Sequence, residues 1–315
     1  MSERAAAGRE RRLFGILMTR NERDLLRANI LFHLRMGCER IIVVDNGSTD
    51  GTKRLLRRLA RICPVEWTVD NGELRQAEIV TAMAHEARAK GAGWVLPLDT
   101  DEFWHPARPV QQLMGEAEEA GLGALEVSRI EFIQARHVIR SRMVDSVYAD
   151  RRVESPVTGE VAAAEFAAGE RSMFEIAAPG KLMLRTSPEL QIERGAHEAS
   201  GLAGPVEYTG RLAVFHYAMR SRDSAFSRVE HAERVERVDQ RPEVSARNRY
   251  WKMMDQRGAL EQAWKAHSHS DGALDVFGRR VELIEDTRLA EVLSPYARTP
   301  LRQYLSDLNQ RFGVR

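Results

Sequence analysis

The sequence predicts a doubly wound α/β fold with a mostly parallel sheet and a helical C-terminal region. Through the first third of the chain, short apolar runs alternate with stretches of helical period. The runs are too brief for helices, and the second, Ile41-Ile42-Val43-Val44, is entirely β-branched, which suits a strand. Three of them break off into polar clusters: Arg20-Asn21-Glu22, Asp45-Asn46 and Asp99-Thr100-Asp101. In a parallel sheet all three clusters reach one edge, where open α/β sheets bind their ligands.

Each element has its own reason. Leu13 to Met18 is the first strand, and a helix follows from Glu22 to Met36 with Leu25, Ala28, Phe32 and Met36 on one face and Gly37 as its stop. After the second strand comes a turn-rich loop, Asp45 to Gly51, in which Ser48, Thr49 and Asp50 can each cap the next helix. That helix turns Leu55, Leu56, Leu59 and Ile62 inward. Val65, Trp67 and Val69 alternate as a third strand, and a helix from Arg75 to Lys90 ends at Gly91. Trp94 to Leu98 is the fourth strand. If the chain stays extended past its end, Asp99 and Asp101 point to the same side. Carboxylates held so close repel unless a cation lies between them, and oxygen-only ligands on a short loop suit Mg²⁺ or Mn²⁺ together with substrate phosphates.

The bulk composition narrows the classes. A net charge of +1 over 315 residues gives no whole-chain case for nucleic acid. Cys38 and Cys63 have no metal-type spacing and read as reduced thiols. Met1 to Arg12 is charged and Ala-rich with no apolar run behind it, so a signal peptide is not expected. Nor is there an apolar run of membrane-spanning length. The expectation is a cytoplasmic protein, with peripheral contact at the cytoplasmic face of a membrane left open. No Gly-x-Gly-x-x-Gly follows the first strand and no Gly-x-x-x-x-Gly-Lys-Ser/Thr occurs, which argues against a dinucleotide dehydrogenase or a P-loop kinase.

Thr19-Arg20-Asn21-Glu22, Ile42 to Thr52, Gln76 and Trp94 to Phe103 together resemble family 2 of the glycosyltransferases, in a bacterial branch related to the former domain of unknown function 23. Lys181 with Arg185, His197, and Phe215-His216-Tyr217 before Arg220-Ser221 are also similar, with less specificity. The resemblance implies a GT-A fold and sugar transfer from a nucleotide diphosphate-sugar (UDP- or GDP-linked) to a glycan or lipid-linked acceptor. It also implies dependence on Mn²⁺ or Mg²⁺, inversion at the anomeric carbon, and a role in surface polysaccharide synthesis. Position by position it makes Asp99 and Asp101 the metal and sugar-nucleotide aspartates, with Asp101 among the catalytic residues. Asp45 then faces the nucleoside, while Arg20, Asn21, Glu22, Gln76 and Lys181 belong to the donor side. Glu102 either touches the donor sugar or braces the loop.

The second half is less explicit. Leu113, Met114 and Ala117 mark a surface helix, and a strand from Ala124 to Ile133 follows with Leu125, Val127 and Ile130 inside. An attacking hydroxyl needs a general base, and Glu131 and Asp145 are the candidates, with Glu189 and Glu193 behind them. Arg151 to Arg171 reads as a loop, either a lid or a disordered insertion, and Lys181 to Arg185 as a strand. His216 reads either as a satisfied core residue or, by the resemblance, as part of the metal shell or a contact to the diphosphate. His267-Ser268-His269 reads as a surface loop. From Ser221 the chain reads as charged helices, with Arg234, Arg237, Arg241, Arg247 and Arg249 on a solvated face or, as the alternative, facing an acidic or phosphorylated acceptor or a lipid surface. The expected division is a tail to residue 12, a transferase domain over 13–220 (nucleotide-binding half 13–104, acceptor half 105–220), and a helical extension over 221–315. The rival readings are a nucleotidyltransferase on a similar sheet and a sugar-nucleotide-binding protein without catalysis.

Overall fold

In the computed structural model the described residues are 11–238 and 242–298, without the side chains of 160–163, 242–247 and 298. Most of the expected tail, the last part of the expected extension, Arg241 and the side chain of Arg247 therefore lie outside the described residues. The chain starts with β1 (Leu13–Thr19), α1 (Arg23–Met36), β2 (Arg40–Asp45), α2 (Thr52–Leu59), β3 (Val65–Val69), α3 (Gln76–Ala89) and β4 (Trp94–Leu98). These are the predicted elements, nearly residue for residue. Next come β5 (Glu102–Pro106), α4 (Val110–Glu119) and β6 (Ala124–Glu131). A 3₁₀ turn at Met143–Tyr148 precedes β7 (Arg151–Arg152) and α5 (Glu160–Ala168). Then follow β8 (Lys181–Arg185), β9 (Gln191–Ile192), β10 (Ala199–Ser200) and β11 (Val206–His216). Helices α6 (Arg222–Phe226), α7 (Arg228–Val238), α8 (Pro242–Gln256) and α9 (Leu260–Ala266) come next. Strands β12 (His269–Ser270), β13 (Ala273–Val276), β14 (Arg279–Glu282) and β15 (Ile284–Glu285) precede α10 (Arg288–Arg298).

Contacts divide the chain into two compact units. One holds the described residues up to Ile130 and Pro179–Phe215, and the other Glu131–Ala178 and His216–Arg298. The units interleave in sequence, whereas a division at residue 220 was expected. The first unit is built on a sheet ordered β3-β2-β1-β4-β8-β6-β11-β5. β3, β2, β1 and β4 are parallel, with Thr19 opposite Asp45 and Leu17 opposite Leu98. That register brings the ends of β1, β2 and β4 to one edge. β8 runs antiparallel to both β4 and β6, pairing Lys181 with Val127. Phe14, Ile16, Val80, Met83, Val95 and Leu184 form the core on one side of this sheet.

Three local expectations change here. α1 packs against β2, β5 and α2, so it buries Leu26, Asn29, Ile30 and His33 as well as Leu25 and Ala28 of the expected stripe, while Phe32 and Met36 are half-buried. β3 is the last strand in the sheet order, and Val69 at its end is exposed. β6 stops at Glu131, and Ile133 instead bridges to Arg151.

The second unit departs further from expectation. The segment read as a loop over 151–171 contains β7 and α5, and Phe166 packs into a core with Tyr250, Trp251, Met254 and Trp264. The region read as wholly helical contains the antiparallel sheet β12-β13-β14. Its first hairpin turns at Asp271-Gly272, both with positive φ (51° and 77°), the pairing a two-residue hairpin prefers. His267 and Ser268, expected at the surface, are fully buried. The His267 ring is held by the Ala263 carbonyl at 2.8 Å and accepts the Met173 amide at 3.2 Å. With both ring nitrogens partnered, burial costs little. Cys38 and Cys63 are buried free cysteines, as expected.

Candidate functional site

The acidic end of β4 is held from two other elements, β1 and α1. Thr100 is buried, and Asp99 and Asp101 on either side of it are half-buried. The Thr100 hydroxyl meets that of Thr19, at the end of β1, at 3.0 Å. From α1, the amide nitrogen of Asn29 donates to the carbonyls of Asp99 (3.0 Å), Thr100 (3.0 Å) and Glu102 (2.8 Å). One buried side chain thus holds the backbone of the whole acidic turn. Asn29 in turn meets His33, whose Nδ1 lies 2.9 Å from the Asn29 carbonyl, while Nε2 accepts the Trp104 amide at 3.2 Å. A ring that accepts at Nε2 and donates at Nδ1 is neutral.

Burial holds His33 down to about 3, against the opposing pull of its bond to the Asn29 carbonyl. The usual value of 6.5 applies to the unfolded chain. Below it only the unfolded chain takes up the proton, so the stability present above 6.5 is lost as pH falls toward 3. The expected slope is about 1.4 kcal/mol per pH unit. Urea unfolding of wild type and His33→Gln across this range checks it, and the wild type should lose more.

Around the acids lies a buried charge network. Lys181 of β8, 1% exposed, places Nζ 2.6 Å from Asp99 Oδ2 and 2.6 Å from Glu102 Oε2. Arg129 Nη1 stands 3.6 Å from Glu102 Oε1. Burial pulls the lysine pKa down, but the two carboxylates outweigh it and hold it above the ordinary value. Glu102 is itself buried, with Lys181 and Arg129 against its carboxylate. His197 donates from Nδ1 to the Gly180 carbonyl (2.6 Å), and burial lowers it to about 4, with Lys181 and Arg129 adding to the effect.

The β2 cluster serves two ends. Asp45 is fully buried; Oδ1 accepts the Ser48 amide at 3.0 Å, and Lys53 Nζ lies 3.9 Å away. Its Oδ2 is buried without a hydrogen-bond partner among the described residues. Arg20 donates to the Asn46 carbonyl. Asn21, with φ of 54°, gives its amide to Ser48 Oγ and accepts the Thr49 amide. These bonds tie the β1–α1 and β2–α2 loops together. Glu22 precedes α1, its carbonyl accepting the Leu26 amide, and half-buried Gln76 opens α3.

In the second unit, Glu131 Oε2 meets His216 Nδ1 at 2.6 Å, and both residues are buried. The structure thus gives His216 a carboxylate partner, Glu131. Among the described residues no three His, Cys, Asp or Glu side chains stand close enough to hold a metal ion between them. Asp145 has both oxygens on Arg142, at 3.1 Å each.

Sequence reasoning missed Asn29, His33 and Arg129, and gave Thr19 no role of its own. A polar Asn29 and His33 among the apolar residues of α1 was the available signal, since buried polar groups need partners.

The donor set on the first unit's edge is carboxylate oxygen on half-buried side chains, which fits a hard divalent cation completed by water and phosphate. No curated protein matches the sequence. Among solved structures, TarS 1-349 of S. aureus is similar at 13% identity, over 72% of this chain and 66% of that one, with a TM-score of 0.41. The same protein in complex with UDP-GlcNAc gives 11%, 72%, 67% and 0.43. The mannosyltransferase PcManGT from Pyrobaculum calidifontis, in complex with GDP-Man and Mn²⁺, gives 14%, 96%, 86% and 0.41. The chain thus spans 66% of the length of TarS 1-349. Likenesses of this size assign nothing by themselves. The family model described as glycosyl transferase family 2 matches residues 16–175, half of the chain, from within β1 through the acidic turn and past Glu131 and Asp145. This chain therefore belongs to glycosyl transferase family 2.

Proposed function

We propose that the protein transfers a sugar from a nucleotide diphosphate-sugar to a hydroxyl acceptor, at the edge formed by the ends of β1, β2 and β4. The observation that carries this reading is the acidic turn of β4, held by Asn29 and Thr19 with Asp99 and Asp101 on either side of buried Thr100. Asp99 and Asp101 would hold a Mn²⁺ or Mg²⁺ together with the diphosphate. Bound there, the cation supplies Lewis-acid stabilisation of charge on the leaving nucleotide. The buried Oδ2 of Asp45, without a hydrogen-bond partner among the described residues, is an acceptor suited to a ring N–H of uracil or guanine if the loop after β2 opens to admit it. Arg20, Asn21, Glu22 and Gln76 shape the loops around that pocket. The acceptor (a glycan or a lipid-linked one), inversion, placement at the cytoplasmic face and the branch related to domain of unknown function 23 belong to the same proposal. No helix among the described residues is long and apolar enough to cross a membrane.

The base in this reading is Glu131, because its pairing with His216 gives an abstracted proton a second carrier. Asp145 spends both oxygens on one guanidinium. Glu131→Gln should lower kcat by roughly 10²-fold or more, while Asp145→Asn stays within a few-fold. Steady-state kinetics with a labelled donor checks both.

Thermal unfolding with Mn²⁺ and a panel of nucleoside diphosphates tests the function. Native-state binding at a hundredfold excess over Kd adds about 2.7 kcal/mol. A metal-dependent shift with UDP or GDP, absent in Asp101→Ala, is expected. No shift with any nucleotide would favour a structural role for the acidic turn.

A further inference from the structure

We propose that Lys181 is a positioning residue, an internal cation that withholds Asp99 from divalent metal until the nucleotide donor brings its own phosphate oxygens. The inference rests on the donor-site reading above and adds an order of binding to it. Lys181 is rooted in β8, an antiparallel strand hydrogen-bonded beside β4, and is paired there with Val127 of β6. Its position is set by the sheet, and 1% exposure leaves the ammonium no route to solvent. It lies at 2.6 Å from one oxygen of Asp99 and 2.6 Å from one of Glu102.

Three carboxylates in four positions, Asp99, Asp101 and Glu102, would otherwise make a strongly anionic pocket. Such a pocket attracts a divalent cation whether or not a substrate is present. Lys181 cancels one of those charges, and Arg129 stands against Glu102 from the other side. An ammonium on Asp99 Oδ2 also repels a second cation brought to the same carboxylate. A diphosphate supplies new negative charge and new oxygen ligands, so metal affinity rises when the donor binds. The coupling is reciprocal, and metal must raise nucleotide affinity by the same factor. Free metal then does not occupy the site unproductively.

The test is titration of Mn²⁺ alone, followed by loss of the free-ion electron paramagnetic resonance signal, on wild type, Lys181→Met and Lys181→Arg. Lys181→Met/Glu102→Gln is a fourth variant, because it removes the buried carboxylate that loss of the lysine leaves bare. Unfolding midpoints confirm which variants are folded. Wild type and Lys181→Arg should bind Mn²⁺ weakly alone and at least tenfold more tightly with UDP or GDP present. Lys181→Met and the double variant should bind Mn²⁺ alone roughly tenfold more tightly than wild type, and gain less from nucleotide. A purely structural lysine would not tighten metal binding when removed. The proposal is overturned if the folded variants bind Mn²⁺ alone no better than wild type, even where nucleotide coupling is intact. If wild type binds neither Mn²⁺ nor nucleotide under any pairing, the donor-site reading fails first and the proposal fails with it.

Discussion

Asn29→Leu should cost about 2–4 kcal/mol of stability and roughly 10² in donor-dependent turnover. The side chain is fully buried and supplies N–H donors to three carbonyls of the acidic turn, those of Asp99, Thr100 and Glu102. Leucine fills a similar volume but withdraws the side-chain donor from all three; the Asp99 carbonyl keeps the Glu102 amide at 3.0 Å, while a carbonyl left without a donor in this buried turn costs about 1–3 kcal/mol. The rate effect comes through geometry, since misplacing a reacting group by about 1 Å can cost 10²-fold. Asn29→Asp is the sharper variant. It keeps the shape of asparagine and turns an oxygen toward three carbonyl oxygens, so it should be at least as damaging as leucine. Urea unfolding together with nucleotide binding decides the matter. If Asn29→Asp stays near wild type in both, the amide does not hold the turn.

The second large effect is expected at Asp101. Asp101→Asn should lower kcat/KM by roughly 10³-fold or more, corresponding to the several kcal/mol that charge stabilisation of a leaving diphosphate supplies. Stability should change far less than in Asn29→Leu, because the side chain is half-buried and asparagine keeps its shape. This separation of effects is opposite to that of Asn29→Leu, where stability and turnover fall together. Kinetics with a labelled donor, run beside unfolding midpoints, gives the comparison. Equal turnover in wild type and Asp101→Asn would remove the carboxylate from the chemistry.

Much of the first unit was legible because its signals are local. A β-branched run such as Ile41 to Val44, a helix stop such as Gly37, and a polar break such as Asp99 to Asp101 each act over a few residues. The parallel pairing of β3, β2, β1 and β4, expected from the alternation, assembles the three polar ends at one edge, while their order is shown by the structure. The second unit was less legible for the converse reason. α5 was missed in a segment whose Ala, Glu and Gly content reads equally as loop, and Phe166 shows its role only against Tyr250 and Trp251. The β12–β13 hairpin did have a local signal in Asp271-Gly272, overlooked among charged helical stretches. His267 looked like a surface residue because its partners, the Ala263 carbonyl and the Met173 amide, cannot be read from its neighbours in sequence.

By itself the sequence determined the alternation of strands and helices, the edge at which Asp45, Asp99 and Asp101 gather, and the family. Each follows from periodicity, turn chemistry or a run of matching residues, which are properties of contiguous chain. The tertiary structure decided which groups answer one another: Lys181 on Asp99 and Glu102, Asn29 on the acidic turn, and Glu131 on His216. Those partners are separated by scores of residues, and a buried charge or a buried carbonyl is satisfied only by what the fold brings beside it.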